Sequence, residues 1–354
     1  MQIALDLAKK GMHTAKPNPR VGCIVVSENK IVGQGWHRQT GEAHAEAIAL
    51  SEAGDKAKDS TVYSTLEPCT HFGQTPPCVE ALIAAAVGKV VYAMEDPNPV
   101  VSGQSRKILE SAEIEVISGV LSQESKDLNI GFHKRMKYGL PYIRTKIAAS
   151  IDGKTALLNG ESQWISSKQS RDDVQLWRAR SCALVTSIDT VIADDPSLNV
   201  RINDFSDIDQ PTRVILDSQL RIRGDYKILK SPGNVIVYSL QQVRNDPIFE
   251  GMIENTNERD GHVSLESVFR DLAKKEINEV MFECGGTLNG ALLKQNFIDE
   301  IIIYLAPCIL GDQANNMFSL PAISAMSERY NFNLIQVDRT GDDIRVILRK
   351  ANPV

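Results

Sequence analysis

Three metal-competent side chains, His44, Cys69 and Cys78, each fall at the boundary of a helical or strand-like segment, so a chain that brings them together has little freedom in how it folds. Residues 21–32, VGCIVVSENKIV, read as a hairpin of two apolar strands around a polar turn. The following GQGWHRQTGEAH reads as a loop. Residues 43–53 have helical composition, 61–65 are strand-like, 78–86 are helical again and 89–94 form another strand. This βαβαβ rhythm predicts a sheet with covering helices. His44-Ala-Glu46 then opens a helix, Glu67-Pro68-Cys69 follows a strand, and Cys78 begins the next helix.

One imidazole and two thiolates are ligands that suit Zn²⁺ and leave its fourth tetrahedral position for water, which means catalysis. Positions two apart on an ideal helix point about 200° from each other, so His44 and Glu46 can serve one site only near the helix end. The positive end of the helix dipole also helps hold thiolates ionised there. Glu46 takes the task of moving protons from water to a ring nitrogen and a departing amine, without touching the metal. H-x-E with P-C is the zinc nucleobase-deaminase signature, except that eight residues instead of two separate the cysteines. A surface histidine and two buried thiols would be the bland alternative, but they would leave four such residues at element boundaries to coincidence. A structural zinc site lacks an obvious fourth ligand.

At 354 residues the chain exceeds what one hydrophobic core usually organises, so two domains are expected. Turn-favouring residues at 137–141 precede PYIRTKIAASIDGKTA, which starts a fresh strand pattern and puts the domains at 1–141 and 142–354. The second half alternates strands (183–186, 213–216, 235–238, 279–283, 300–305) with helical stretches (168–180, 264–275, 289–296), so it too is α/β. Residues 241–261 are polar and read as a variable surface connection. No G-x-G-x-x-G follows a strand. The Gly285-Gly286-Thr287 turn after the 279–283 strand can nevertheless cradle a pyrophosphate on free backbone N–H groups.

A net charge of −6, no Lys/Arg block and no membrane-length apolar run argue against nucleic acid and membrane partners. The start, MQIALDLAKKGMH, reads as an amphipathic helix and not as a secretion signal. A cytoplasmic enzyme acting on a small molecule is expected. Cys23, Cys182, Cys284 and Cys308 sit among apolar or small neighbours and read as buried thiols, with no disulfide framework.

The strings PNPRVGCIVV, HAEAIAL, YSTLEPCTHFGQTPPC and EDPNP, followed by KIAASIDGKTA, GESQWIS, TVIADDPSLNVR, ILDS and ECGGTLNGALL, resemble one family in order: the bifunctional riboflavin-biosynthesis deaminase/reductases. The cysteine spacing of eight is that family's own, and the resemblance covers essentially the whole chain. It implies an α/β chain with an N-terminal cytidine-deaminase-like three-layer domain and a dihydrofolate-reductase-like α/β reductase domain. The implied chemistry is zinc-dependent hydrolytic deamination of 2,5-diamino-6-(5-phosphoribosylamino)pyrimidin-4(3H)-one, then NADPH-dependent reduction of the ribosyl to a ribityl side chain. By motif match, His44, Cys69 and Cys78 would be zinc ligands and Glu46 the proton shuttle. Asn18, His37, His71, Asp96 and Asn98 would line the deaminase pocket. NADPH would meet Ala148, Trp164, Thr190, Asp194, Ser218 and the turn of Gly285, Gly286, Thr287, Leu288, Asn289, Gly290 and Ala291. Ser162, Arg178, Leu198, Arg201 and Glu283 would hold the reductase substrate, with Lys146 a further candidate.

Hydride would add to C1 of an opened ribosylamine, with Asp194, Glu283, Lys146 or water as candidate proton donors. Ser218 with Arg221 could receive the cofactor 2′-phosphate. Gln74 and Phe72 depart from the family, Gln74 where a basic residue precedes Thr-Pro-Pro and could meet substrate phosphate. A phosphorylated pyrimidine substrate and a homo-oligomer are expected. The runner-up is a single-activity nucleoside or nucleobase deaminase with a non-catalytic C-terminal domain. A regulatory ligand-binding module is disfavoured by the complete zinc constellation, and a tRNA-editing deaminase by the acidic balance.

Overall fold

The computed structural model describes residues 1–72, 76–99, 101–202, 208–241, 249 and 251–351. The chain divides into two compact units, Met1–Leu140 and Pro141–Val354.

The first unit runs α1 (Gln2–Lys9), β1 (Gly22–Ser27), β2 (Lys30–Trp36), α2 (Ala45–Ala53), β3 (Thr61–Leu66), α3 (Cys78–Ala84), β4 (Lys89–Met94), α4 (Gln104–Ser111), β5 (Glu115–Ser118), α5 (Ser122–Leu128) and α6 (Ile130–Tyr138). Its sheet has the order β2-β1-β3-β4-β5, with β1 antiparallel to both neighbours and β3, β4 and β5 parallel. Parallel neighbours need crossovers, which α3 and α4 supply.

Glycines on the sheet set the layers. A Cβ at Gly22 would collide with the Ala4 carbonyl of α1, and one at Gly33 or Gly35 would collide with the Ala49 or Ala45 carbonyl of α2. Cys23 pairs with Gly35, so those two share a face while Gly22 points to the other. Helices α1 and α2 therefore cover opposite faces, giving three layers. Leu5 and Ala8 of α1 pack with Leu128 of α5 on one side. On the other, Ala45, Ala49 and Ala53 of α2 join Val79 and Leu82 of α3 and Leu109 of α4. The expected loop at 33–44 is corrected here: β2 continues to Trp36. Its glycines are strand residues, required by the helix above them and not by a turn.

The second unit runs β6 (Tyr142–Ser150), β7 (Lys154–Ala156), α7 (Lys168–Arg180), β8 (Ala183–Ser187), α8 (Ile188–Asp194), β9 (Thr212–Leu216), α9 (Lys227–Lys230), β10 (Val235–Ser239), β11 (Ile253–Asn255), β12 (Glu258–Arg259), β13 (His262–Val263), α10 (Leu265–Lys274), β14 (Glu279–Phe282), α11 (Gly286–Lys294), β15 (Glu300–Ala306), β16 (Asn315–Asn316), β17 (Phe332–Thr340) and β18 (Asp343–Lys350). The main sheet has the order β11-β10-β9-β8-β14-β6-β15-β18-β17. The strands from β11 to β15 are mutually parallel, and β18 and β17 add antiparallel at one edge. Central strands are buried on both faces and read as apolar runs, as Val280, Met281 and Phe282 do. The strand order reverses between β8 and β14. In an open α/β sheet that reversal opens a crevice outside the carboxyl ends of the strands.

Three sequence expectations change. Residues 253–255, expected to be surface connection, add strand β11 to the sheet edge through backbone pairing to β10, which needs no apolar pattern; residues 242–248 and 250 lie outside the described residues. Helix α11 begins at Gly286 and not at Asn289, so Gly286 and Thr287 form its first turn. Of the four cysteines expected to be buried, Cys23 is, whereas Cys182, Cys284 and Cys308 are half-buried. No described helix is long and apolar enough to cross a membrane.

Gly33→Val should destabilise the first unit by about 1–3 kcal/mol, the usual cost of forcing volume into a packed layer. Urea unfolding followed by circular dichroism checks this, and an unchanged midpoint would mean that α2 can move away from β2 at no cost.

Candidate active sites

In the first unit, two helix starts and one strand end meet. His44 is the N-cap of α2 with extended backbone, Cys78 is the first residue of α3, and Cys69 lies three residues beyond β3. The ligand atoms of these residues all lie within 4.8 Å of one another. His44 Nδ1 is 3.2 Å from Cys78 Sγ and 3.5 Å from Cys69 Sγ. A tetrahedral zinc with nitrogen and sulfur ligands has ligand-to-ligand edges of about 3.5 Å, so this donor set fits zinc in both chemistry and spacing. The Cys78 backbone N–H also donates to Cys69 Sγ at 3.3 Å. The Cys69 thiol is pushed down to about 4 by its hydrogen bonds with Cys78 and His44, despite partial burial.

Glu46, in the first turn of α2, is buried beside this cluster. Its Oε1 accepts from the Ser64 hydroxyl at 2.8 Å, and its Oε2 faces Cys78 Sγ at 3.4 Å. Burial pushes the Glu46 carboxyl above its ordinary range. A chain of polar groups approaches from the other side. Asn18 Nδ2 lies 3.0 Å from His37 Nε2, His37 Nδ1 lies 3.3 Å from the Ala43 carbonyl, and the His37 and His44 rings meet edge to face at 5.6 Å. An Nδ1–H donating to Ala43 leaves Nε2 to accept from Asn18, and burial keeps the imidazole neutral by lowering its pKa.

Asp96 is buried and pushed up to about 6, chiefly by desolvation; its Oδ1 accepts from the Asn98 N–H at 2.8 Å. His71 and Phe72 are exposed, and Gln74 lies outside the described residues. Ser64 and Glu67 lie in the YSTLEPC string, but no role follows for them from the sequence; the available signal is a buried serine in β3 and a carboxylate directly after it.

The second unit gathers a different cluster where the carboxyl end of β14 comes level with the middle of β6. The Arg178 Nε and Nη2 donate to the two Glu283 oxygens at 2.6 and 3.0 Å, and Lys146 Nζ lies 3.7 Å from the same carboxylate. Burial would raise the Glu283 pKa, but Arg178 and Lys146 outweigh it and hold it at about 2. Lys146 is itself lowered by desolvation. Arg178 Nη1 donates to the Asn199 carbonyl at 3.1 Å, whereas Arg201 is exposed and its Nη1 donates to the Asn199 Oδ1 at 3.0 Å. Leu198 between them is buried and left-handed at φ 41°.

The glycines of the 285–291 turn divide by task. Gly285 faces open space, whereas a Cβ at Gly286 or Gly290 would collide with the Asn316 or Ser319 carbonyl. Asn289 is buried and pins the turn: its Nδ2 donates to the Cys284 and Met317 carbonyls at 3.4 and 3.3 Å, and its Oδ1 accepts from Thr145 at 2.6 Å. Thr287, Leu288 and Ala291 complete the first turns of α11. Ser218 Oγ accepts from the Val263 N–H at 3.1 Å, and Arg221 pairs with Asp189 of α8 at 2.6 Å. Thr190 Oγ1 lies 3.2 Å from Ser187 Oγ, the N-cap of α8. Asp194 and Trp164 are exposed, with Arg171 stacked 4.4 Å over the Trp164 ring, while Ala148 and Ser162 are half-buried.

Residues 1–94 match the cytidine and deoxycytidylate deaminase zinc-binding region, and residues 141–346 match the RibD C-terminal domain. The chain is 43% identical to riboflavin biosynthesis protein RibD of Escherichia coli, over 97% of this chain and 96% of that protein. It is 37% identical to the protein of that name from Aquifex aeolicus, over 99% and 97%. Among solved structures it is similar to Acinetobacter baumannii RibD, at 43% identity and a TM-score of 0.93 over 99% and 98% of the two chains. A Thermotoga maritima diaminohydroxyphosphoribosylaminopyrimidine deaminase/5-amino-6-(5-phosphoribosylamino)uracil reductase matches at 31% identity and a TM-score of 0.88, covering 99% and 97%.

Protein purified without chelator should carry about one zinc per chain, given three protein ligands and an open fourth position. Metal analysis checks this. Cys78→Ser protein that kept full zinc content would remove Cys78 from the ligand set.

Proposed function

The chain belongs to the RibD family of bifunctional riboflavin-biosynthesis enzymes, which join a zinc-dependent deaminase to an NADPH-dependent reductase, and from that premise we propose how its residues divide the two reactions. Residues 1–141 deaminate the pyrimidine of 2,5-diamino-6-(5-phosphoribosylamino)pyrimidin-4(3H)-one, and residues 142–354 reduce its ribosyl group to ribityl. The observation that carries the reading is the meeting of His44, Cys69, Cys78 and the buried Glu46 where two helix starts and the segment after β3 converge. A single-activity deaminase is not favoured, because the family match runs through both halves.

When bound by His44, Cys69 and Cys78, zinc supplies Lewis acidity that makes water a nucleophile near neutral pH. Glu46 takes the proton of the attacking water and passes protons to the ring nitrogen and the departing amine. Ser64 holds Oε1, which leaves Oε2 as the working oxygen, and the raised pKa suits a carboxyl that must both accept and return a proton. Asn18, His37, His71, Asp96 and Asn98 hold the ring and its ribosyl arm.

In the reductase half, NADPH supplies the hydride. The N–H groups opening α11 at Gly285, Gly286 and Thr287 would hold its pyrophosphate, with Asn289 and Gly290 shaping that turn and Leu288 and Ala291 beside it. Ala148, Trp164, Thr190, Asp194 and Ser218 make the remaining cofactor contacts. Glu283 stays ionised beside Arg178 and Lys146, so it positions the ribosyl hydroxyls and does not deliver a proton. Lys146, an ammonium weakened by desolvation, is the better donor. Arg201 is the arginine left to meet the substrate phosphate, because Arg178 is committed to Glu283. Ser162 and Leu198 close the pocket. The reading includes a cytoplasmic location and a homo-oligomer; edge strand β17, which exposes Leu334, Ile335 and Val337, supports the latter.

Glu46→Gln should keep its zinc yet lose deamination by the ~10²-fold to 10⁴-fold typical of losing general acid/base catalysis. NADPH oxidation on pre-deaminated substrate should stay near wild type. Loss of both activities in folded, zinc-replete protein would overturn the division of labour. NADPH should also be preferred over NADH, with the preference shrinking in Arg221→Ala as the cation beside Ser218 is removed. Steady-state kinetics with both cofactors decides this, and equal kcat/KM for the two in wild type would count against it.

A further inference from the structure

Glu67 has no task in either reaction, yet it is buried at 2% exposure and both of its oxygens are saturated. Oε2 accepts from the N–H groups of Asp96 and Gly103, both at 3.1 Å. Oε1 accepts from the N–H and the hydroxyl of Ser105, at 3.2 and 2.8 Å. Gly103 is the N-cap of α4, so the carboxylate also meets the positive end of that helix. The Glu67 N–H donates to the Met94 carbonyl at 2.9 Å, tying the residue to the end of β4. All four donors to its side chain come from residues 96–105, which carry Asp96 and, through the Asp96 carboxylate, the backbone of Asn98.

A brace with no functional role would serve equally well on any loop. This one holds the segment that bears two of the pocket residues, and it does so from a position two residues before Cys69. We propose that Glu67 is a positioning residue for deamination: its four hydrogen bonds fix Asp96 and Asn98 against the pyrimidine ring, so that it acts on substrate binding and not on proton transfer. The inference rests on the pocket reading above. Every partner of Glu67 is a donor, so an amide of the same shape would set its own NH₂ against two of them. Glu67→Gln therefore tests acceptor chemistry at constant volume.

In full-length zinc-loaded enzyme, Glu67→Gln should raise the deaminase KM about 10-fold or more while kcat stays within about threefold, the pattern of lost substrate binding. Zinc content should not change, and amide exchange at Asp96, Gly103 and Ser105 should accelerate. Ser105→Ala, which removes one of the four bonds, should raise KM by about threefold and serves as the deciding variant if Glu67→Gln does not fold. An unchanged KM, a fall in kcat alone, or a loss of zinc would each overturn the inference. If wild type deaminates and the variants' KM does not move, the inference falls and the reading of the pocket stands; if wild type releases no ammonia from the substrate, both fall.

Discussion

Helix α2 lies so close to strand β2 that neither Gly33 nor Gly35 has room for a Cβ, and the position of the deaminase site follows from that approach. Gly35 abuts the Ala45 carbonyl, in the first turn of α2, so the contact sets where His44 and Glu46 stand above the sheet. The other metal-competent groups are placed by the parallel strands: β3 ends just before Cys69, and the crossover to β4 starts α3 at Cys78. The convergence of helix N-termini is thus a packing result before it is an electrostatic one. The two thiols and the imidazole then sit where oriented N–H groups favour negative charge.

Two buried carboxylates show how environment divides the chemistry. Glu46 has a hydroxyl and a thiol for neighbours, and desolvation raises its pKa, which makes proton exchange accessible. Glu283 is buried as well, but Arg178 and Lys146 reverse the effect and hold it ionised. The same side chain thus serves different ends: Glu283 is held by two cationic side chains, whereas Glu46 faces a hydroxyl and a thiol.

The reductase face of β6 extends this pattern. Arg144, Lys146 and Ala148 alternate along one side of the strand. Arg144 is fully buried and paired with both Glu279 and Glu300, with the Tyr142 ring 4.7 Å from its guanidinium. Removing one partner of such a cluster leaves an uncompensated buried charge, at a cost of about 3–5 kcal/mol. Two residues farther on, Lys146 has the looser 3.7 Å contact with Glu283 and keeps some exposure. The tight cluster belongs to the framework, whereas the loose one keeps a cation available for chemistry.

Residue type and order by themselves determined the zinc constellation, the two α/β halves and the family. Ligand chemistry is a property of side chains, and strand and helix periods are written locally. The sequence alone could not separate the two kinds of glycine. Gly33 and Gly35 read as a loop but are strand residues under a helix, and Gly286 and Gly290 read as cofactor contacts although chain packing against the Asn316 and Ser319 carbonyls already requires them. Strand β11 was hidden because backbone pairing at a sheet edge leaves no apolar alternation. Arg178 and Arg201 read alike in the sequence, yet it is Arg178 that holds both Glu283 oxygens by hydrogen bonds, and Ser64 and Glu67 lie inside the YSTLEPC string with no sign there of what they would bond. These outcomes depend on which backbone atoms, carboxylates and donors lie within about 3 Å across long sequence separations, and only the tertiary fold decides that.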